Sequence, residues 1–302
     1  MKADTERLFT DIAAEALLLA GGGRAILLQI ANPAVGYGVA AHSDFANRPL
    51  ERLANTVTYA YATVFARPDE LAAVVSRVNH AHAPVVSRPA ERDELGKLLA
   101  THVRDASEAV GGVEAFEVVE GVGADAGGGE RPGGAYNAFD HRAQLWVAAT
   151  LYQTALTVYE KVFGRLAESD AEYVYQRYGV LGSALQMPAQ LWPADLAAFR
   201  SYWAAAVDGL EVTDPARRVA HDLLHPHTAP MWLKGLMPVV RLVTCGLLGD
   251  DLRRAFVLPW SARSQRLFDQ LFTVGAVVYP RLPRWIRHLP RDRYLRALRA
   301  SL

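Results

Sequence analysis

Apolar side chains recur at three- and four-residue intervals along most of the chain, and no run sustains a period-two alternation bounded by hairpin signals. Residues 50–83, LERLANTVTYAYATVFARPDELAAVVSRVNHAHA, show the helical period twice, broken at Arg67-Pro68. Proline has no N–H to give to a continuing helix and suits the first position of a new one, so the spacing predicts two helices. Asp69 and Glu70 fall in the first turn of the second, where the helix dipole favours negative charge. The same period predicts helices over 140–165, 169–178, 193–208, 213–225 and 264–278, with strands few or absent. The expectation is an all-α fold, one globular multi-helix domain over residues 1–302.

Two stretches depart from the amphipathic pattern. Residues 13–41 are the most apolar, yet Arg24, Gln29 and Asn32 would be costly at bilayer depth, so a buried core helix is expected there rather than a membrane span. Residues 88–135 begin as a plausible helix and end in GVGADAGGGERPGGA, whose glycines make a packed conformation entropically expensive. Two readings stand for this segment: an inserted lid hinged on its glycines, or a surface insertion. GVGADAG is not a dinucleotide fingerprint, which needs a strand before it and a helix after it.

Composition narrows the function classes. Lys+Arg and Asp+Glu both number 32 in 302 residues, so no global basic surplus draws nucleic acid. A single cysteine, Cys245, makes neither an internal disulfide nor a cysteine-rich metal site, which accords with a cytoplasmic location. The N-terminal residues carry Asp4, Glu6, Asp11 and Glu15 where a secretory signal has a basic start and an unbroken apolar stretch, so no signal peptide is expected. Charge is uneven at the C-terminus, with eleven Arg against four acidic residues from Asp250 onward. With Trp285, Ile286, Leu289, Tyr294 and Leu298, that tail reads either as a face for an anionic membrane surface or, more commonly, as a solvated helix packed by its apolar side.

No Ser-His-Asp order, HExxH, CxxC pair or Walker loop is present. His42, His80 and His82 are the histidines to weigh. The stripe Leu71, Val74, Val75, Val78 continues to His82, while His80, about 200° away around the helix, points outward. A neutral imidazole ending an apolar stripe suits haem iron, and equally suits a hydrogen-bonded core position. Arg52 and Thr56, four apart, share one helical face. There they serve either as an ordinary surface pair or as a cation for an anionic group, such as a haem propionate, beside a hydroxyl for a bound diatomic or substrate.

The chain resembles the mpaB/rubber-oxygenase (latex clearing protein) catalytic domain. The resemblance runs from LLLAGGGRAILLQIANPAVGYGVAAHSDF through RPLERLANTVTYAYATVFARPDEL and RVNHAHAPV to YNAFDHRAQLWVAATL and VYEKVFG. It continues weakly through MPAQLWPADLAAFRSYW to RLVTCGLLGDDLRRAFVLPW. It implies an all-helical protein enclosing a haem b pocket and using dioxygen on apolar, isoprenoid-like chains. Carried over, His82 is the axial iron ligand, Arg52 positions haem or propionate, and Thr56 lies on the oxygen side. Asn55 stands beside the cofactor, where latex clearing protein has a lysine that can occupy the distal iron position. Asn32-Pro33 replaces a common His-Pro, Ala148 follows Trp146-Val147 where relatives have histidine, and residues 88–135 exceed the short connection expected before Tyr136.

The function expected is therefore a haem b-dependent oxygenase acting on a small apolar or natural-product substrate with dioxygen and, where reduction is required, an electron donor. The alternatives are a haem-binding or sensing protein without turnover, and a cofactor-free helical scaffold for a lipid or partner.

Overall fold

The computed structural model describes residues 2–42, 49–86, 136–185 and 187–302, with side chains from Arg7 in the first segment and from Ala54 in the second. The segment 88–135 and the side chain of Arg52 lie outside the described residues. The helices, in chain order, are α1 (Lys2–Ala14), α2 (Gly22–Ala31), α3 (Pro33–His42), α4 (Pro49–Phe65), α5 (Pro68–His82), α6 (His141–Phe163) and α7 (Glu168–Tyr178). They continue with α8 (Val180–Ser183), α9 (Leu196–Asp208), α10 (Asp214–Leu224), α11 (Met231–Leu247), α12 (Asp250–Ala255), α13 (Ala262–Val278), α14 (Arg284–Arg287) and α15 (Leu289–Ala300). Among the described residues the sole extended pairing is an isolated antiparallel bridge between Val86 and Asn137.

The long helix α6 is the axis of the core. Tyr152, fully buried on it, meets Tyr175, Tyr178, Trp192 and Phe199 at ring-centroid distances of 5.0–6.2 Å, mostly edge to face. Such aromatic pairs add attraction beyond the area they bury. On the other side, Trp146 stacks on Trp203 at 5.3 Å, and its indole N–H donates to the Leu28 carbonyl at 3.1 Å. That contact ties α6 to α2. Asp140 starts α6 by accepting from the N–H groups of Arg142 and Ala143, two of the donors a helix start leaves unpaired.

The expectation of a buried core helix over 13–41 holds in part: α2 is largely buried, whereas the 3₁₀ turn before it and α3 after it are mostly half-buried, so the stretch is broken into pieces rather than one helix. A 3₁₀ turn over Ala16–Gly21 leads into α2, and the chain then breaks at Asn32, whose ψ of 122° is the extended conformation that a following proline imposes. The Asn32 side-chain oxygen accepts from Ala34 N–H at 3.1 Å and so starts α3. The polar residues that argued against a membrane span find partners: Arg24 donates to Thr154 and to the Leu247 carbonyl, and Gln29 donates to Thr150. Burial pushes the Arg24 guanidinium down to about 10, still charged at neutral pH. Among the described residues no helix is long and apolar enough to cross a membrane.

The predicted helices over 140–165, 169–178, 213–225 and 264–278 are observed within a few residues of those limits, and 193–208 starts at Leu196 behind an Asp195 cap. Helical periodicity does not single out α11, because its apolar residues are nearly continuous and Pro238 sits inside it.

Candidate functional site

Helices α4 and α5 form an antiparallel hairpin whose two ends are built differently. At the closed end, Pro68 opens α5, and Arg67 N–H donates to Glu70 at 3.0 Å in half of a capping box. The Glu70 carboxylate is completely buried, paired with Arg67 at 3.0 Å and with Arg299 of α15 at 2.9 Å. The Arg299 hydrogen bond, then the Arg67 N–H, hold its carboxyl below the usual carboxylate range.

The open end carries the residues singled out by sequence. With a rise of about 1.5 Å per residue, Arg52 lies about 20 Å along α4 from the turn, and His82 about 21 Å along α5. The hairpin therefore sets their backbones level, with Asn55 and Thr56 about one turn below. Val57, Tyr59 and Tyr61 are buried, and the Tyr59 hydroxyl donates to the Leu181 carbonyl. These inward residues leave Asn55 and Thr56 on the exposed side of α4. On α5 the predicted stripe is observed: Val74 is in the core, Leu71, Val75 and Val78 pack against it, His82 is half-buried and His80 is exposed.

Three further parts of the chain converge beside His82. The backbone turns after the helix, with Val85 N–H donating to the His82 carbonyl at 2.8 Å. It then pairs with the approach to α6 through the Val86–Asn137 bridge and the Ala138 N–H to Val85 carbonyl bond of 2.9 Å. That pairing brings the Phe139 ring edge-on to the His82 imidazole, centroids 6.3 Å apart. From the end of α3, His42 Nε2 is 2.9 Å from the buried Tyr136 hydroxyl, and the two rings meet edge to face at 5.4 Å. Nearby, Gln144 donates to the Ala138 carbonyl at 3.3 Å while its own buried amide oxygen has no partner among the described residues.

His82, Asn55, Thr56 and the Arg52 backbone thus share one end of the hairpin. The pattern could not reveal Tyr136 or Phe139, which come from beyond the 88–135 segment; the aromatic pair in YNAF just before the Asp140 cap was their only signal. His42 stood out in the sequence without a position, and the structure pairs it with Tyr136. Ala148, at the position the resemblance assigns to a histidine, is buried at 2% exposure and faces Gly182. Asn32, in place of another histidine, is the cap of α3.

His82 offers one half-buried imidazole, edge-on to Phe139, beside an exposed polar helix face, which is the kind of donor a haem takes as a single axial ligand. Among the described residues there is no group of three or more His, Cys, Asp or Glu side chains suited to a metal held by protein alone. A separate cavity of about 400 Å³, lined by Phe9, Thr63, Val64, Gln176 and Trp192 among others, does not include His82.

No solved structure matches the chain. Two curated relatives, uncharacterized proteins of Mycobacterium bovis and Mycobacterium tuberculosis, are each 30% identical over 254 residues, covering 82% of this chain and 84% of the relative. The family described as ER-bound oxygenase mpaB/B'/Rubber oxygenase, catalytic domain, matches residues 10–277. The chain belongs to this oxygenase catalytic-domain family.

Proposed function

We propose that the chain is a haem b-dependent oxygenase in which His82 is the axial ligand and a small apolar or natural-product molecule is the substrate. The observation that carries this reading is the half-buried His82 imidazole at the open end of the hairpin, in a chain of an oxygenase family. When bound, haem supplies the redox-active iron at which dioxygen is activated. His82 offers a ring nitrogen, and the Phe139 edge limits the ring's rotation. Arg52 is assigned to a propionate as a charge-assisted donor, and the Thr56 hydroxyl, exposed on the same helix, to hydrogen bonding with dioxygen or substrate. Asn55 is a neutral amide beside them and brings no amine to the iron. The His42–Tyr136 pair, with His42 exposed, adds a further polar group at the end of α3.

The test is the absorption spectrum of protein purified after expression with a haem precursor. A Soret band at close to one haem per chain is expected, and its absence rejects the cofactor. Oxygen consumption with a reductant then separates an oxygenase from a haem protein without turnover, a second reading favoured by the sparse polar complement of Asn55 and Thr56 on the described part of α4.

A further inference from the structure

The C-terminal helices leave a broad apolar surface uncovered. Helices α11 and α13 pack together and bury Val243, Leu247 and Phe268 between them and α6. Their outer sides are also apolar. On α13, Leu267, Leu271, Val274 and Val278 follow at spacings of four, three and four, a single stripe along one helix face, and all four are exposed, Val274 by 60%. On α11, Trp232, Leu236 and Val239 repeat the pattern, with Trp232 65% exposed. After the Tyr279–Arg281 turn, which packs on α13, helix α14 exposes Trp285, by 69%, and Ile286. Scattered exposed apolar residues are ordinary on a monomer, whereas two packed helices that both turn such stripes to solvent mark a contact surface.

The charge around this surface identifies what it meets. Residues 231–302 carry thirteen Lys and Arg against four Asp and Glu; Arg253, Arg254, Arg284, Arg287, Arg291 and Arg299 are paired with carboxylates, while the other seven, Arg263, Arg266 and Arg281 among them, have no carboxylate partner among the described residues. Arg263 lies one turn before Leu267 on the same helical stripe, and Arg281 follows Val278, so cations flank the apolar row at both ends. Arg263 and Arg266 are exposed, and among the described residues no carboxylate pairs with either. A twofold dimer through this face would set the cationic rim against itself, which like-charge repulsion opposes. An anionic bilayer answers both features. Its headgroups attract the arginines, and its interface accepts the aliphatic stripe and the amphipathic indoles.

We propose that α11, α13 and α14 form a docking face for an anionic lipid bilayer, with Leu271, Val274, Trp232 and Trp285 entering the interface and Arg263, Arg266 and Arg281 engaging lipid headgroups. The face lies on the surface plane and nothing in it spans the bilayer. The proposal is independent of the cofactor reading, since it involves none of the residues around His82.

The experiment is co-sedimentation of the full chain with vesicles of phosphatidylcholine alone and of phosphatidylcholine with phosphatidylglycerol. Binding is expected to the mixed vesicles, much weaker to phosphatidylcholine alone, and reduced by salt. Because each basic residue near an anionic surface contributes about 1 kcal/mol, the double variant Arg263→Glu, Arg266→Glu should lower the partition coefficient by on the order of tenfold or more. Leu271→Glu with Val274→Glu should abolish binding while leaving the melting temperature in vesicle-free buffer unchanged. Equal binding to neutral and anionic vesicles, or none to either, overturns the proposal. A marked fall in melting temperature for Leu271→Glu, Val274→Glu overturns it in favour of a face covered by the chain itself. A concentration-dependent dimer in wild type that the same substitutions dissociate overturns it in favour of a second copy.

Discussion

The two ends of the α4–α5 hairpin have opposite characters. At the closed end every strong group is answered within the chain: Glu70 is fully buried, yet it takes the Arg67 N–H, the Arg67 guanidinium and Arg299. At the open end Asn55 and Thr56 face outward and the His82 imidazole is half-exposed against the edge of Phe139. A buried carboxylate that lacks its partners is destabilising, so a complete closed end supports the fold. The open end instead turns the polar side chains of Asn55 and Thr56 toward solvent, where a ligand can reach them. The difference separates an anchor from a site, and each of the following changes should affect one end and spare the other.

The largest expected effect is on the cofactor. His82→Ala should remove stoichiometric haem, whereas His80→Ala, on the exposed side of α5, should retain it; pyridine haemochrome content per chain measures both. The melting temperature of haem-free protein should barely move in either variant. Equal haem in wild type and His82→Ala would sink the assignment.

Next in size is the α4 side of the same end. Arg52→Ala removes a charge-assisted partner worth roughly 1.5–3 kcal/mol, so haem transfer to apomyoglobin should be favoured by about ten- to 150-fold. Thr56→Val is expected to keep haem and slow oxygen consumption. If Thr56→Val also loses haem, Thr56 holds the cofactor instead of serving the oxygen side.

At the anchor, the effect is on stability and on its pH dependence. Glu70→Gln leaves Arg299 without its counter-charge and Arg67 with Asp69 alone, and should lower the melting temperature by several degrees with haem content per folded chain unchanged. In the wild type the folded carboxyl titrates below its unfolded value, so the unfolded chain binds the proton first as pH falls. The stabilisation is present above the ordinary carboxylate range and is lost as pH drops through the depressed folded value. Melting temperature against pH should therefore fall on acidification in wild type and more shallowly in Glu70→Gln.

Much of this was legible in the chain. Helical period and Arg67-Pro68 located both arms of the hairpin, and continuing the stripe from Leu71 through Val78 put His82 inward and His80 outward, as observed. The fine division of 13–41 was not legible, because a continuous apolar run hides a break that Asn32 and Pro33 impose through backbone conformation alone. The contacts of His82 were not legible either. Phe139 is brought beside it by a backbone bridge between residues far apart in sequence, and period arguments describe one helix at a time. Glu70 was read from the helix dipole only as a first-turn carboxylate; its burial goes with Arg299, more than two hundred residues away, which no local pattern encodes.

The smallest effect tests how closely α3 seals the open end. A Cβ at Gly38 would lie 3.4 Å from both Tyr136 Cδ2 and Val85 Cγ1, at the near edge of ordinary contact. Alanine also favours a helix interior over glycine by up to about 1 kcal/mol, so Gly38→Ala should be neutral or slightly stabilising. Two residues earlier, a Cβ at Gly36 would sit 2.5 Å from the Ile30 carbonyl oxygen, which is backbone at the α2–α3 break and cannot rotate away. Gly36→Ala should therefore lower the melting temperature clearly. The two substitutions have the same chemistry and lie on the same helix, so intrinsic propensity cancels between them and the difference reports packing. If they behave alike, the close approach of α3 to the α2 backbone is not what fixes its position, and the seating of His42 against Tyr136 must be maintained by contacts other than this one.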